Sequence, residues 1–168
     1  FSHFTGTKKG LIILVNFKDV KFGRTHTRTM FDNIANKIGF TNSLGFKGSV
    51  KDYFLAQSNG QFELDFDVVG PYTLSQNMAY YGAHSKDGLQ DVKPGHMILE
   101  ACQMADKDVN YKDYDWDGDG EVDQVFVIYA GFGEADGGSE DTIWPHESQL
   151  LTWVGKPYET KDGVSVNT

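Results

Sequence analysis

Apolar residues along the chain recur with two different periods, and the changes of period mark out the elements. Leu11–Phe17 (LIILVNF) is apolar almost without a break, the pattern of a strand buried on both faces in the middle of a sheet. Thr27–Gly39 carries Met30, Phe31, Ile34, Ala35 and Ile38 on one helical face, with Gly39 as its stop. Ser49 and Asp52 make an S-x-x-D cap for a second helix with Val50, Tyr53 and Phe54 on its apolar side, ended by Asn59-Gly60. In Gln61–Val68, Phe62, Leu64, Phe66 and Val68 alternate with Glu63, Asp65 and Asp67. That is the period of a half-buried strand with a solvated acidic face. Gly70-Pro71 is expected to turn the chain.

Pro94–Asp106 predicts a third helix, with Met97, Ile98, Ala101, Cys102 and Ala105 on its buried side. Val122–Ala130 (VDQVFVIYA) predicts another central strand, running into Gly131-Phe132-Gly133 and a loop that closes at Gly137-Gly138. Leu150–Val154 and Gly163–Val166 predict further strand pieces. No repeat or low-complexity linker interrupts the series. The expectation is a single α/β domain over residues 1–168, a central mixed sheet with about three helices.

Composition narrows the partners. At 39% hydrophobic and 14% aromatic the chain has material for a core, and it is not composed like a disordered one. Its longest apolar run is far short of the ~20 residues of a transmembrane helix, so no transmembrane segment is expected. The opening FSHFTGTKKG has no apolar signal-peptide core. With 24 acidic against 15 basic residues the net charge is −9, which argues against a nucleic-acid partner and suits a protein that holds divalent cations. The single cysteine, Cys102, excludes an internal disulfide framework and lies on the apolar stripe of its helix, as a small core residue.

The densest chemistry is DWDGDGEVD. Asp115, Asp117, Asp119, Gly120 and Asp123 meet the pattern D-x-D-x-D-G-x-x-D. Calcium takes roughly 6–8 oxygen ligands, and alternate carboxylates on a tightly curled loop can all point inward. Glycine at the sixth place allows the sharp turn, and Glu121 at the seventh offers its backbone carbonyl. A helix-loop-helix site would have a bidentate glutamate at the twelfth place, where this chain has Phe126, followed by a strand. The reading is a strand-flanked calcium loop of structural role, of the weak kind found outside cells. Asp113, Glu134 or water are candidates for the remaining coordination. The plainer alternative, an acidic surface turn, leaves four aspartates within nine residues without a counter-ion.

Other motifs carry less. His146-Glu147 begins an H-E-x-x-H, which needs a second histidine four residues on, but position 150 is Leu150. His96 and Glu100 are spaced to share a helix face, most simply as a solvated pair. The glycines after Ala130 are followed by no Gly-Lys-Ser/Thr, and no serine sits in a nucleophile elbow. The residues themselves display no catalytic centre.

Four stretches in order, LIILVNFKD, GSVKDYFLAQSNGQFELDFDVVGPY, YDWDGDGEVDQVFVIYAGFGEA and DTIWPH, resemble the immune-inhibitor-A-like family of secreted bacterial zinc metallopeptidases. The resemblance covers most of the chain. It implies the N-terminal part of a metzincin-like catalytic domain, with the zinc and the H-E-x-x-H helix expected downstream of Thr168. It also implies a protein or peptide substrate, the remainder of the catalytic domain as partner, and an extracellular or cell-surface location. The family's calcium stretch carries over onto Asp115, Asp117, Asp119, Glu121 by its carbonyl, and Asp123; no zinc ligand or general base carries over. In peptidases of this build an edge strand of the sheet pairs with the substrate, and the sequence does not identify that edge. A calcium-dependent extracellular binding or adhesion module without catalytic activity is the alternative.

Overall fold

The computed structural model describes residues 5–41, 47–83, 93–131 and 149–167. The elements run β1 (Gly6–Asn16), α1 (Arg28–Asn36), α2 (Val50–Gln57), β2 (Phe62–Thr73), α3 (Met78–Gly82) and α4 (Pro94–Ala105). A 3₁₀ turn (Tyr111–Tyr114) then leads to β3 (Val125–Tyr129), α5 (Leu150–Val154), β4 (Tyr158–Glu159) and β5 (Ser165–Val166). The α/β class read from the pattern holds. Three strands form a sheet that is parallel throughout, in the order β2-β1-β3, and β4-β5 form a separate antiparallel ribbon.

β1 is the central strand, and its side chains feed two cores. Leu11, Ile13 and Val15 face α3, α4 and the 3₁₀ turn, packing with Tyr81, Met97, Ala101, Cys102 and Tyr111. Ile12 and Leu14 face the opposite side, with Ala35, Phe62, Leu64 and Phe66 and the rims of α1 and α2. The connection from β1 to β2 therefore covers one face and that from β2 to β3 covers the other, which is doubly wound topology. Gly10 lets the Phe66 ring lie against β1, since a Cβ there would come within 2.7 Å of it. Cys102 is fully buried among these side chains, and burial pushes its thiol up to about 12, consistent with a core residue and not a nucleophile.

Several boundaries differ from the sequence pattern, each for a local reason. β1 begins at Gly6, because Gly6–Gly10 pair with Phe62–Phe66 although they carry no apolar side chain beyond the lysine stems. α1 ends at Asn36, not Gly39, where the Asn36 side chain leaves the helix to bond Phe66 in β2. Its amide accepts from Phe66 N at 2.7 Å and donates to Phe66 O at 2.8 Å, and Ile38 beyond it is 69% exposed. Gly70-Pro71 does not turn the chain. The cis peptide lies inside β2, which runs on to Thr73, and Gly70, at φ +95°, sits so close to the Leu14 carbonyl that no Cβ would fit. Leu150–Val154 is a helical turn and not a strand. Leu150 N and Leu151 N bond Asn167 O and Oδ1, and Gly155 closes the turn in the left-handed region. A short apolar run does not separate the two states by period alone.

The second helix starts as its cap pattern predicts. Ser49 Oγ accepts from Asp52 N at 3.2 Å, and the Asp52 carboxylate accepts from Ser49 N and from Gly39 N, each at 2.8 Å. These backbone donors hold the Asp52 carboxyl below its ordinary value of 3.8. The outer face of β2 is paired, not merely solvated. Lys51 contacts Glu63 at 3.3 Å and also Asp65, while Asp67 takes Lys9 at 3.6 Å and the Tyr114 hydroxyl at 2.7 Å. His96 is exposed, but Glu100 is no free helix-face group. It accepts from Ser75 N at 2.7 Å and Tyr81 Oη at 2.5 Å, joining α4 to α3 and the end of β2.

Replacing Asn36 with alanine orphans both backbone groups of Phe66 and should cost about 2 kcal/mol in a urea titration. Because the folded Asp52 pKa is lowered, its contribution is complete above 3.8 and lost as pH falls through the folded value. Stability curves of Asp52→Asn and the parent should therefore converge in acid; a gap unchanged from pH 7 to pH 2 would contradict the capping box.

Candidate metal centre

The acidic loop lies between the 3₁₀ turn and β3 and is shaped by its own carboxylates. Asp115 Oδ1 accepts from Gly118 N at 2.8 Å and its Oδ2 from Gly120 N at 2.9 Å. Asp117 Oδ1 accepts from Asp119 N at 3.1 Å, and Asp119 Oδ1 from Glu121 N at 2.8 Å. Asp123 Oδ2 reaches back to Trp116 N at 2.5 Å. Gly118 and Gly120 have φ of +76° and +90°, so the curl needs glycine at both places.

The result brings together Asp115, Asp117 and Asp123, which offer one oxygen each within 4.8 Å of one another. Asp119 is not in that trio; its Oδ1 accepts from Glu121 N. Glu121 is held by a parallel bridge to Ser165, with Ser165 N donating to Gly120 O at 2.9 Å and Val122 N to Ser165 O at 2.8 Å. Backbone groups alternate along an extended segment, so the Glu121 carbonyl faces away from Ser165, on the side where its N–H meets Asp119. This bridge also explains why β3 starts at Val125 and not at Val122.

Burial raises the Asp123 carboxyl, against the pull of Trp116 N–H, and the charges of Asp117, Asp119 and Asp115 raise it further. The site is thus short of positive charge and built of hard oxygen donors, which fits a cation such as calcium. It does not fit zinc, which favours nitrogen and sulfur ligands in a tetrahedral set. Among the described residues this is the one cluster of three metal-ligating side chains, and the only histidines there, His26 and His96, are both exposed. Glu134, His146 and the stretch DTIWPH lie outside the described residues, and Asp113 is exposed beside the loop.

The loop is tied to the sheet at two points that the sequence reading did not find. Trp116 Nε1 donates to Lys9 O at 2.8 Å, and Lys8 Nζ donates to Trp116 O at 3.2 Å. The Trp116 ring lies 6.0 Å from that of Phe62. A lone tryptophan inside an acidic run was the available signal, since a large apolar side chain there needs a surface to cover.

A doubly wound α/β domain with an aspartate loop leading into its third strand is the class these observations define. Residues 4–166 match the family described as immune inhibitor A peptidase M6, catalytic domain, and the chain belongs to that family. It is 27% identical over 177 aligned residues to the pre-pro-metalloprotease PrtV of Vibrio cholerae, covering 86% of this chain and 19% of that protein. Against immune inhibitor A of Bacillus thuringiensis subsp. alesti it is 27% identical over 172 residues, covering 82% of this chain and 25% of the relative. The chain thus spans between a fifth and a quarter of the length of these relatives.

Asp115 shapes the loop whether or not a cation is present. Asp115→Ala in the presence of chelator should lower stability by about 1 kcal/mol, the scale of a lost cap, in a denaturant titration.

Proposed function

We propose that this chain is part of the catalytic domain of a secreted, zinc-dependent endopeptidase that hydrolyses peptide bonds of protein substrates, and that a calcium ion at Asp115–Asp123 braces it. The family match over residues 4–166 carries the peptidase reading and favours it over an adhesion module. The proposal assigns the zinc to residues outside these 168, and the lack of H-E-x-x-H in them supports that assignment. The remainder of the catalytic domain is accordingly this chain's first partner, and no catalytic step is assigned to its own side chains. Among the described residues no helix is long and apolar enough to cross a membrane.

The calcium reading rests on the convergence of Asp115, Asp117 and Asp123, with the Glu121 carbonyl on the loop side and the second oxygen of Asp119 or water completing the shell. Loop sites of extracellular modules bind on the order of 10⁻⁴–10⁻³ M, which is useful where calcium is millimolar. An extracellular location is part of this proposal, and a site of that affinity would be filled there. The ion's role is structural, joining the loop that grips the start of β1 to the bridge at Ser165.

Calcium at about a hundred times its dissociation constant should stabilise the protein by about 2.7 kcal/mol, a rise of several degrees in Tm. Magnesium should have little effect. Asp117→Asn keeps the hydrogen bond to Asp119 N but removes the charge, and should lose most of the response; an unchanged response, or none in chelator-stripped parent protein, would reject the site. For the peptidase reading, the encoded sequence following Thr168 should contain H-E-x-x-H within a few dozen residues. The 168 residues alone should hold no stoichiometric zinc and cleave no peptide bond, measured by elemental analysis and casein digestion. A stop codon or an unrelated linker there would sink that reading.

A further inference from the structure

The outer edge of β2 is closed at two rungs and open at a third. Phe62 turns its backbone away from β1 to Ser58, whose Oγ accepts from Phe62 N at 2.9 Å and lies 3.2 Å from its carbonyl, with Phe54 O the nearer acceptor of its proton at 2.7 Å. Asn36 serves both backbone groups of Phe66, and Leu64 between them is buried. Pairing with β1 runs without a shift from Phe62 to Val69, so backbone groups alternate edges through that stretch. Val68, two residues past Phe66, therefore presents its N–H and C=O outward as well. Among the described residues no side chain bonds to them.

Val68 lies in the floor of a groove of 410 Å³ whose two walls stand on opposite faces of the sheet. One wall is α1, with Asp32; the other is the segment after α4, with Asp108 and Asp113, and Asp67 lines the groove from β2. The groove continues past Arg28 on α1. Nearby cations are few. Lys9 pairs with Asp67 at the surface, Lys107 lies 5.9 Å from the centre of the Tyr72 ring, and Arg28 stands at one end. The balance of charge along the open rung is negative.

We propose that this edge takes an extended basic segment of a partner protein by strand addition, its backbone pairing with Val68. Side chains of an added strand alternate between the sheet faces, so lysine or arginine at one parity meets Asp32 and at the other meets Asp108 and Asp113. Val68, Val69 and Val109 supply apolar contact between them. A second copy of the chain is a poor occupant, because joining β2 to β2 would set two acidic grooves face to face in a protein of net charge −9.

The test is fluorescence anisotropy of a labelled, capped heptapeptide alternating lysine and valine, titrated with the intact protein at low ionic strength and recovered uncleaved by mass spectrometry. Binding is expected, with the glutamate–valine counterpart at least tenfold weaker. N-methylation of the peptide backbone at the positions facing the edge should weaken binding about tenfold, the scale of one or two lost hydrogen bonds. Val68→Pro should do the same, since proline removes the outward N–H at an edge position where it is tolerated. The methylated peptide gives the same reading on unaltered protein if that variant does not fold. Asp32→Asn combined with Asp108→Asn keeps the acceptors for Asn36 and Tyr72 and should weaken binding several-fold. Equal affinity for methylated and unmethylated peptide, equal affinity for the two charge types, or no binding overturns the proposal. Dimerisation of the intact protein that Val68→Pro abolishes would overturn it too, by assigning the edge to a second copy.

Discussion

Everything in this domain is arranged around a central strand with no free side. β1 is hydrogen-bonded to β2 along one edge and to β3 along the other, and both of its faces are covered. Leu11, Ile13, Leu14 and Val15 have no measurable exposure, so the layers on each side must supply apolar surface of matching shape. Two helices from one crossover and the longer connection through α4 from the other meet that demand. The polar first turns of β1, Gly6–Lys9, lie outside it and are held differently.

That second kind of hold is where the acidic loop enters. Trp116 anchors the loop to the backbone of Lys9, Lys8 answers to the Trp116 carbonyl, and the far side of the loop bridges to Ser165. The loop thus joins the start of the sheet to the small ribbon near residue 165. Carboxylates that curl the backbone also crowd one another: the Asp123 carboxyl is raised first by burial and then by the charges of Asp117, Asp119 and Asp115. A cation bound as proposed would relieve the same repulsion that the curl creates. Tyrosine hydroxyls do related work elsewhere in the molecule. Tyr72, Tyr81, Tyr114 and Tyr158 each donate to a carboxylate, and the Tyr81 hydroxyl is pushed up to about 12 by burial and by Glu100.

Much of this was legible in the residues, and the failures have physical causes. The buried central strand, the capping box at Ser49, the alternation through Val68 and the buried stripe of α4 were all readable because each depends on contacts within one element. Helix α1 was read three residues too long, because its end is set by a bond to β2, 30 residues away in sequence. The turn expected at Gly70-Pro71 failed for the same reason: what fixes Gly70 is the Leu14 carbonyl on the neighbouring strand. At the metal loop the spacing signals that the aspartates gather, and in the structure Asp115, Asp117 and Asp123 lie together while Asp119 Oδ1 accepts from Glu121 N. Trp116 was overlooked because its partner, the carbonyl of Lys9, is a backbone atom that no sequence motif records.

The order of the strands has a consequence for how the chain is made. β1 finds β2 once the chain has been made as far as Thr73, but its other edge waits for Val125–Tyr129. During synthesis the most apolar strand in the protein is therefore half-paired for some fifty residues, with one edge open and one face lacking α4. Non-local closure of this kind is slow, and the waiting strand is a template for wrong partners. Trp116, just ahead of β3 in sequence, ties the start of β1 to the segment that leads into that last strand.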